Sequence, residues 1–365
     1  MHAGKLDMSA NKLNPDFMNN RNLSLCTGLF LAGLLVLAAG CRTPSGAPKT
    51  AEAWRGLHVP VFSDRELSKL EDELPRLAAD GVNVLVIQTD YHFDFQSHPE
   101  LRAQEFITRA KAREFAGAAR KLGIRVIPEL DCLGHQSWGA TTDPLLAKYP
   151  QFDETPGQFP GNQGIYCRSW CPQSPGLNQI VFALIDELTD AFQADAFHVG
   201  MDEVFIIASE HCPRCHGEDP AKLFAKQVNA LHRHIVGERR LTMLMWGDRL
   251  LDARTMGYGR WESATNGTAP AVDMIPKDII LCDWHYREQT NYPSVPFLLQ
   301  KGFRVWPSGF QPLAAAKAFS EFSLAQRREN PRVIGYLCTT WSKARTEDLA
   351  AWPPITDVLA EWKNQ

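Results

Sequence analysis

The 365-residue sequence predicts an α/β fold, a closed (β/α)8 barrel built by one domain, and three observations support this prediction. Eight short apolar runs rich in β-branched residues recur along the chain. Segments with helical periodicity lie between most of these runs, which indicates a parallel sheet covered on its faces. Eight such units in about 310 residues also have the size and number expected of this barrel.

The predicted strands are residues 56–59, 82–87, 124–129, 196–200, 241–246, 279–284, 303–306 and 333–338. Amphipathic helices are predicted at residues 64–79, 103–122, 177–192, 220–236 and 313–328. The intervals after the fifth and sixth strands have the weakest helical pattern. An open doubly wound sheet is the alternative, but no Gly-x-Gly-x-x-Gly motif follows the first strand.

The charge balance of the chain is close to neutral. It contains 38 Lys and Arg against 42 Asp and Glu, a formal net charge of −4. We therefore expect no nucleic-acid partner, because such proteins normally carry a basic face or tail. Apolar residues make up 44% and charged residues 22%, as in ordinary globular proteins and unlike disordered chains.

The N-terminal region predicts export. Residues 23–40 are an apolar run preceded by Arg21 and followed by Cys41, the pattern of a secretory signal. The ending Leu-Ala-Ala-Gly-Cys41 resembles a bacterial lipobox, whose cysteine becomes lipidated. We predict a lipoprotein signal at 1–41, a tether at 42–53 and the barrel at 54–365. The protein would then be held by lipid to a bacterial membrane, on its periplasmic side or at the cell surface. An uncleaved anchor is the alternative.

Polar or aromatic residues follow nearly every predicted strand. They are Asp90, Asp131, His135, Asp202, Glu203, Trp246, Asp248, Asp283, Trp284, Tyr286, Trp306 and Trp341. In this barrel the carboxyl ends of the strands converge on one mouth, where active sites lie. The pattern therefore predicts an enzyme.

The adjacent carboxylates Asp202 and Glu203 follow the fourth predicted strand. Adjacent side chains in extended backbone point to opposite sides, so this pair can address two atoms of a substrate. In an aromatic cleft one carboxyl can stay protonated while its neighbour is ionised. Such a pair suits glycoside cleavage, in which an acid protonates the leaving oxygen.

One longer motif contains this carboxylate pair, and a second contains Asp131 and His135. His-Val-Gly-Met-Asp-Glu at 198–203 resembles the His-x-Gly-Gly-Asp-Glu motif of glycoside hydrolase family 20, with Met201 in place of the second glycine. Ile-Pro-Glu-Leu-Asp-Cys-Leu-Gly-His at 127–135 is similar to a second motif of that family. Arg-Gly-Leu-His at 55–58 and the segment from Gly335 to Trp341 extend the resemblance over residues 54–345. Only the signal and tether precede Arg55, which suggests the short, single-domain branch of the family.

The resemblance implies a TIM barrel that acts as an exo-β-N-acetylhexosaminidase on glycans with a terminal N-acetylhexosamine. Its mechanism would be retaining and substrate-assisted, with an oxazolinium intermediate formed by the 2-acetamido group. Glu203 would be the general acid and then the base, and Asp202 would polarise the acetamido N–H. The other implied roles are carbonyl binding by Tyr286, tuning of Glu203 by His135 with Asp90 as its partner, and substrate binding by Arg55, Asp90, His198, Trp246, Trp284 and Trp341.

The sequence departs from the family pattern at two positions that matter for substrate choice. Pro60 stands where the family usually has an aspartate, and Lys343 stands where an acid usually follows the last tryptophan. Since that acid contacts the far hydroxyls of the sugar, the preference between GlcNAc and GalNAc stays open.

Four cysteines lie in two neighbouring loops at the predicted mouth. Cys167 and Cys171 follow the third strand, and Cys212-Pro-Arg-Cys215 follows the fourth. Outside the cytoplasm disulfides are the preferred expectation, with a structural zinc site at these loops as the next alternative and free thiols as the third. We expect no cofactor and no metal for catalysis, because no carboxylate-rich or His-x-x-x-His ligand set accompanies these cysteines.

Two other functions stay open at this point. A non-catalytic carbohydrate-binding lipoprotein could keep the same pocket. A retaining glycosidase with its own carboxylate nucleophile would need a second acid about 5 Å from Glu203. Asp90, Asp131 and Asp283 are the candidates for that acid.

Overall fold

A computed structural model describes residues 52–341, 349 and 352–363. Its strands are β1 (Trp54–Pro60), β2 (Val84–Gln88), β3 (Arg125–Cys132), β4 (Ser137–Trp138), β5 (Thr141–Thr142), β6 (Ala196–Gly200), β7 (Thr242–Trp246), β8 (Ile280–Trp284), β9 (Arg304–Gly309) and β10 (Gly335–Thr339). Strands β4 and β5 form a separate antiparallel hairpin. The other eight are parallel and close into a barrel, in which β1 pairs with both β2 and β10. The predicted barrel and its eight strands are confirmed.

The helices of the described residues are α1 (Asp64–Asp80), α2 (Arg109–Lys121), α3 (Pro144–Lys148), α4 (Leu177–Phe192), α5 (Pro220–His232), α6 (Ala253–Met256), α7 (Ser294–Gln300), α8 (Leu313–Glu329) and α9 (Pro353–Val358). The five predicted helices correspond to α1, α2, α4, α5 and α8. Helix α2 begins at Arg109 rather than at residue 103, because the Thr108 side chain caps its first turn. The weak pattern after the fifth and sixth barrel strands corresponds to the short helices α6 and α7.

Helix α1 shows how the sequence sets one βα unit. The Ser63 hydroxyl accepts a hydrogen bond from the backbone N–H of Glu66 at 3.3 Å and starts the helix. A stripe of leucines at helical spacing is buried against the barrel, namely Leu67, Leu70, Leu74 and Leu77. Gly81 ends the helix at a φ of 97°, which favours glycine, and the chain turns back into β2.

Apolar side chains fill the inside of the barrel below its carboxyl end. This inner core contains Val84, Val86, Ile127, Ala196, Leu244, Ile280, Cys282, Trp306 and Leu337. Gly56 makes room for the Trp306 indole, since a Cβ at Gly56 would lie 2.2 Å from a ring carbon. A larger core lies between the strands and the helices. Because the interior is packed, open space is left at the carboxyl end of the strands.

The predicted signal, the lipobox Cys41 and most of the predicted tether lie outside the described residues. Two tether residues are described: Ala53 is buried, and Glu52 forms an ion pair with Arg55. These two residues contact the barrel domain although they precede its predicted boundary at residue 54. Within the described ranges, no helix has the length and hydropathy needed to cross a bilayer.

Candidate active site

A cavity of about 720 Å³ opens at the carboxyl end of the barrel strands. Carboxyl and aromatic side chains from several strand ends line it, together with residues of the β3–α4 loop. Its wall includes Gln88, Asp90, Asp131, His135, Trp138, Asp143, Tyr166, Asp202, Glu203, Trp284, Tyr286 and Trp341. The structure thus brings together seven of the ten side chains proposed for the site from sequence.

The turn after β6 directs the paired carboxyl groups into the cavity. Gly200, Met201 and Glu203 have left-handed φ values of 62°, 75° and 47°. Position 200 requires glycine, because a Cβ there would lie 2.2 Å from Asp131 Oδ1. Asp202 and Glu203 are 7% and 9% exposed, so substrate reaching them would be largely removed from water.

His135 lies between the two carboxyl groups. Its Nε2 is 3.3 Å from Asp202 Oδ2 and 3.3 Å from Glu203 Oε2. Burial disfavours the imidazolium, but the charge of Asp202 and the contacts with both acids outweigh burial and raise the pKa of His135 well above its usual range. A charged imidazolium here balances the carboxylates. The predicted pairing of His135 with Asp90 is replaced by these two contacts.

Asp248 holds the segment that carries Glu203. Its Oδ2 accepts hydrogen bonds from the Glu203 backbone N–H at 3.0 Å and from Arg249 Nε at 2.6 Å. Its Oδ1 accepts from the Trp284 indole N–H at 3.3 Å. Burial raises the pKa of Asp248 to about 6, although the Arg249 charge opposes this change. The sequence placed Asp248 at a strand end without assigning it to the site, and the structure makes it a positioning residue.

Tyr286, Trp284 and Trp341 form one aromatic wall. The Trp341 indole N–H donates to the Tyr286 hydroxyl oxygen at 2.9 Å, and the Trp284 and Tyr286 ring centroids are 4.9 Å apart. Burial raises the pKa of Tyr286 above its usual range, so its hydroxyl stays protonated. Since the oxygen already accepts from Trp341, the hydroxyl hydrogen can be donated to a ligand.

Three further carboxyl groups line the cavity on the side of β2 and β3. Gln88 Nε2 donates to Asp90 Oδ2 and to Asp131 Oδ2, each at 3.1 Å. Burial raises the pKa of Asp90 to about 6 and that of Asp131 well above its usual range, with their mutual charge adding to the effect on Asp131. Burial and the charge of Asp90 raise the pKa of Asp143 to about 7. Gln88 and Asp143 were missed, because neither belongs to a motif.

The predicted sugar contact of Arg55 is wrong. Arg55 lies at the start of β1, so it is at the opposite end of the barrel from the cavity. Its guanidinium donates to the carbonyl oxygens of Gly81 at 2.5 Å and Ala53 at 3.3 Å, and to Glu52 Oε1 at 2.8 Å. Arg55 therefore ties β1 to the end of α1.

The predicted substrate contacts of His198 and Trp246 are also wrong, since both side chains lie beneath the cavity. His198 is fully buried, with Nδ1 3.0 Å from Glu129 Oε1. Trp246 Nε1 donates to the same oxygen at 3.0 Å, and His58 Nε2 lies 2.8 Å from Oε2. Burial disfavours the Glu129 carboxylate, but the charges of His198 and His58 reverse this and hold the pKa of Glu129 well below its usual range. This group supports the floor under Trp341, whose ring is 5.6 Å from that of Trp246.

Aromatic side chains form the outer rim of the cavity. Trp138, on the β4–β5 hairpin, is 67% exposed and packs edge-on against Tyr166. Tyr166 also contacts Trp261, which is 36% exposed. Exposed aromatic rings of this kind can stack on sugars that extend beyond the cavity. The segments that carry these rings have no regular hydrophobic pattern, so this rim could not be predicted from the sequence.

Two groups of side chains have a geometry that could hold a metal ion. One ligand atom from each of His135, Asp202 and Glu203 lies within 4.8 Å of the others. The same is true of Glu154, Cys171, Cys212 and Cys215. Cys167, predicted to join the other three cysteines, instead places its Sγ 3.7 Å from the Glu203 carbonyl oxygen.

The seven described cysteines are free, so the preferred expectation of disulfides is not met in the structure. Lys343, the position at which the family usually has an acid, lies outside the described residues.

Comparison with known proteins agrees with this architecture. Residues 70–350 match the catalytic domain of Glycosyl hydrolase family 20. A beta-hexosaminidase of Emericella nidulans is 25% identical over 282 residues, which are 69% of this chain and 42% of that protein. The chain thus spans less than half the length of this relative.

Two solved structures have a similar fold. A chitobiase of Flavobacterium johnsoniae superposes with a TM-score of 0.63 and 19% identity, over 85% of this chain and 48% of its own. Dispersin B has a TM-score of 0.52 and 15% identity, over 84% of this chain and 97% of its own.

Proposed function

Because the chain belongs to glycosyl hydrolase family 20, we propose that it is an exo-acting β-N-acetylhexosaminidase that removes terminal β-linked GlcNAc or GalNAc. The observation that carries this proposal is the placement of Asp202 and Glu203 in contact with His135, in a cavity whose lining also contains Tyr286. Glu203 as an acid, the Asp202 carboxylate and the Tyr286 hydroxyl could then all contact the same bound sugar.

The proposed reaction begins with proton transfer from Glu203 to the glycosidic oxygen. The carbonyl oxygen of the substrate's own acetamido group attacks the anomeric carbon, the bond to the leaving group breaks, and an oxazolinium forms. The Asp202 carboxylate accepts the acetamido N–H and stabilises the positive charge that develops. Glu203 then removes a proton from a water molecule as the water oxygen attacks the anomeric carbon. The bond from that carbon to the acetamido oxygen breaks, which restores the acetamido group and gives net retention. The His135 imidazolium keeps the two acids charge-balanced.

The walls of the cavity support recognition of an acetamido sugar. The Tyr286 hydroxyl can donate to the acetamido carbonyl oxygen, while the Trp284 and Trp341 rings enclose the methyl group and the sugar face. Asp90 lies on another part of the wall and, with Gln88, offers polar groups to ring hydroxyls. The packed core under the cavity limits the substrate to a chain end.

A mechanism with an enzyme nucleophile is less well supported by the positions of the other acids. A nucleophilic carboxylate must be ionised, yet burial and neighbouring charge raise the pKa of Asp131 well above its usual range. Asp283 accepts a hydrogen bond from Ser294 Oγ at 2.6 Å and lies 3.3 Å from His285, away from the cavity lining. A purely carbohydrate-binding role would leave the juxtaposed Asp202 and Glu203 without a use.

The site of action is a further part of the proposal. The apolar run at residues 23–40 and the lipobox ending at Cys41 support export and attachment of a lipid to Cys41. Labelling of the full chain with a radioactive fatty acid, compared with Cys41→Ala, tests this. Equal labelling of both proteins would refute the lipid anchor.

The activity is tested with the purified full-length protein on matched nitrophenyl β-GlcNAc, β-GalNAc and β-glucoside. We expect cleavage of the acetamido sugars alone and inhibition by a thiazoline analogue of the oxazolinium. Cleavage of the glucoside at a comparable rate would exclude substrate assistance. Thiazoline binding without turnover would instead support the carbohydrate-binding function.

Two substitutions test the roles of the acids. Glu203→Gln should reduce cleavage of a natural disaccharide by roughly 10²–10⁴-fold, with a smaller loss on nitrophenyl glycosides, because their leaving groups need less protonation.

Asp202→Asn should lower kcat about 10²–10³-fold with little change in KM, since its contact strengthens at the transition state. An unchanged kcat in either variant would remove that residue from the reaction.

A further inference from the structure

We propose that Glu154, Cys171, Cys212 and Cys215 form a structural Zn²⁺ site that joins the loops after β3 and β6. The four ligand atoms lie within 4.8 Å of one another, and all four residues are buried. The site is separate from the glycan cavity, since none of the four belongs to the cavity lining. The inference is independent of the proposed glycosidase activity.

The ligands come together through local backbone contacts between two loops. Asp153 pairs with Trp170 in an antiparallel bridge, which sets Glu154 beside Cys171. Across from them, Cys212 and Cys215 flank a tight turn, in which the His216 N–H donates to the Cys212 carbonyl oxygen at 3.2 Å. The Cys-x-x-Cys spacing followed closely by Gly217 is that of a zinc knuckle.

The cluster places one carboxyl group and three thiols together in the protein interior, which is unusual where no metal ion is bound. Glu154 is fully buried, and its Oε2 has no hydrogen-bond partner among the described residues. Its other oxygen is 2.8 Å from Cys215 Sγ and accepts from the Ser209 N–H at 2.9 Å. A buried carboxylate with an unpartnered oxygen is costly unless it is paired or coordinates a metal. The unpartnered carboxyl oxygen of Glu154 therefore indicates that this carboxyl group binds a metal ion together with the three nearby thiols.

A disulfide satisfies this geometry less well than a metal does. One disulfide would consume two of the three thiols and leave the third beside a buried carboxyl group whose Oε2 still has no hydrogen-bond partner among the described residues. A tetrahedral Zn²⁺ with Zn–S distances of about 2.3 Å separates its sulfur ligands by roughly 3.8 Å, which lies within the 4.8 Å span of the four ligand atoms. Cys215 Sγ and Glu154 Oε1, which are 2.8 Å apart, would have to separate when the metal binds. Thiolate ligands select zinc over magnesium or calcium.

Binding of Zn²⁺ requires the three thiols to lose their protons to solvent, with no change of oxidation state. Three thiolates and one carboxylate then surround a double positive charge, which leaves a net charge of −2. Arg214 lies between Cys212 and Cys215 in the sequence. Its guanidinium interacts with the sulfurs of Cys171 and Cys212 and offsets part of this negative charge. The Gln173 N–H also donates to Cys171 Sγ at 3.4 Å.

The first test is the metal content of the full-length protein, purified without added metal or chelator and measured by plasma mass spectrometry. We expect about one zinc per chain. Cys212→Ser and Glu154→Gln should each lose more than half of it. Cys167→Ser is the matched control, since this cysteine is buried nearby but lies outside the cluster, and it should retain the full content.

A second measurement covers the case in which a variant fails to fold. The unaltered protein is exchanged with Co²⁺, whose absorption spectrum reports thiolate ligation and tetrahedral geometry. We expect a sulfur-to-cobalt charge-transfer band, and alkylation of the unreduced, metal-free protein should then modify all three cysteines. Absence of both zinc and this cobalt band, or a disulfide among Cys171, Cys212 and Cys215, would overturn the proposal. So would full zinc retention in Cys212→Ser.

Discussion

His135 is the side chain whose charge has the most direct effect on the paired acids. We expect His135→Asn to lower kcat on nitrophenyl β-GlcNAc by about 10–100-fold, because two carboxyl groups then share a buried site without their imidazolium. His92→Asn is the matched control, since His92 lines the same cavity and bonds to the Glu105 carbonyl oxygen. Equal losses in the two variants would show that the charge of His135 has no special role.

Arg55 should affect stability and leave sugar binding unchanged. Arg55→Ala removes hydrogen bonds to Gly81 and Ala53, which should lower the free energy of unfolding by about 1–3 kcal/mol. Denaturant unfolding and KM are measured together, and KM should stay within twofold. Arg254→Ala, which removes an exposed ion pair with Asp252, should be nearly neutral. A large rise in KM for Arg55→Ala would restore the sugar-binding role.

Asp143 carries a half-buried carboxyl group whose ionisation opposes folding. Its pKa is raised to about 7 from 3.8, so the folded state binds its proton more tightly than the unfolded state does. The wild-type protein therefore loses stability as pH rises from about 4 to 7, and Asp143→Asn avoids this loss. We expect the variant to gain about 1–2 kcal/mol at pH 8 and nothing at pH 4, measured by urea unfolding. A gain that is independent of pH would contradict this account.

The different positions of Trp246 and Trp284 show why some site residues could not be assigned from sequence. Trp246 ends β7 and Trp284 ends β8, so both occupy the last position of a barrel strand. In the register of the sheet, however, Trp246 lies opposite Cys282, so Trp284 is two residues nearer the mouth. This stagger comes from strand tilt, which depends on the closed barrel and has no local sequence pattern. Trp284 therefore reaches the cavity, whereas Trp246 is covered.

At the level of elements, the turn after β6 depends on a residue without a side chain. Gly200→Ala should lower stability by more than 2 kcal/mol and reduce kcat strongly, because its Cβ would meet Asp131 and displace the acids. Gly257→Ala is the matched control, since Gly257 also has a positive φ but has open space around it, and it should cost only about 1–2 kcal/mol. Both are measured by denaturant unfolding and steady-state kinetics. Similar behaviour of the two variants would exclude a steric role for Gly200.

The barrel strands and long helices were predictable because their hydrophobic patterns are local. The Asp202–Glu203 pair was predictable because it forms part of a sequence motif. Apolar runs and helical periodicity located the eight barrel strands and the long helices. The irregular loops were not accessible in this way. Glu154 reaches the cysteines through the bridge between Asp153 and Trp170, a long-range contact that no spacing rule signals. The same holds for the rim tryptophan Trp138.

The whole molecule should be most stable in mildly acidic solution. Burial raises the pKa of Asp90 and Asp248 to about 6, so their ionisation removes stability between pH 4 and 6. Burial disfavours the His285 imidazolium, but the Asp283 carboxylate raises its pKa to about 9. The stability from His285 is complete below pH 6.5 and is lost as pH rises to 9. The depressed pKa of Glu129 contributes above about pH 4.5 and is lost in acid.

Calorimetric melting of the full-length protein between pH 4 and 9 checks this balance. We expect the highest Tm near pH 5 and a continuous fall towards pH 9. The fall should be shallower for Asp143→Asn, which removes one contributing carboxyl group. A Tm that rises from pH 5 to 8 would contradict the assignment of these buried groups.

Within the described residues the cavity is closed below by Trp246, Glu129 and the packed barrel interior, so a ligand enters from the carboxyl end of the strands. In the proposed reaction the sugar enters first and the remainder of the glycan stays outside, against the rim. The order of release follows: the shortened glycan departs while the sugar is still held as the oxazolinium, and the free monosaccharide leaves last through the same opening. If the reaction proceeds as proposed, the liberated monosaccharide competes with the next glycan end, and we expect turnover to slow as this product accumulates.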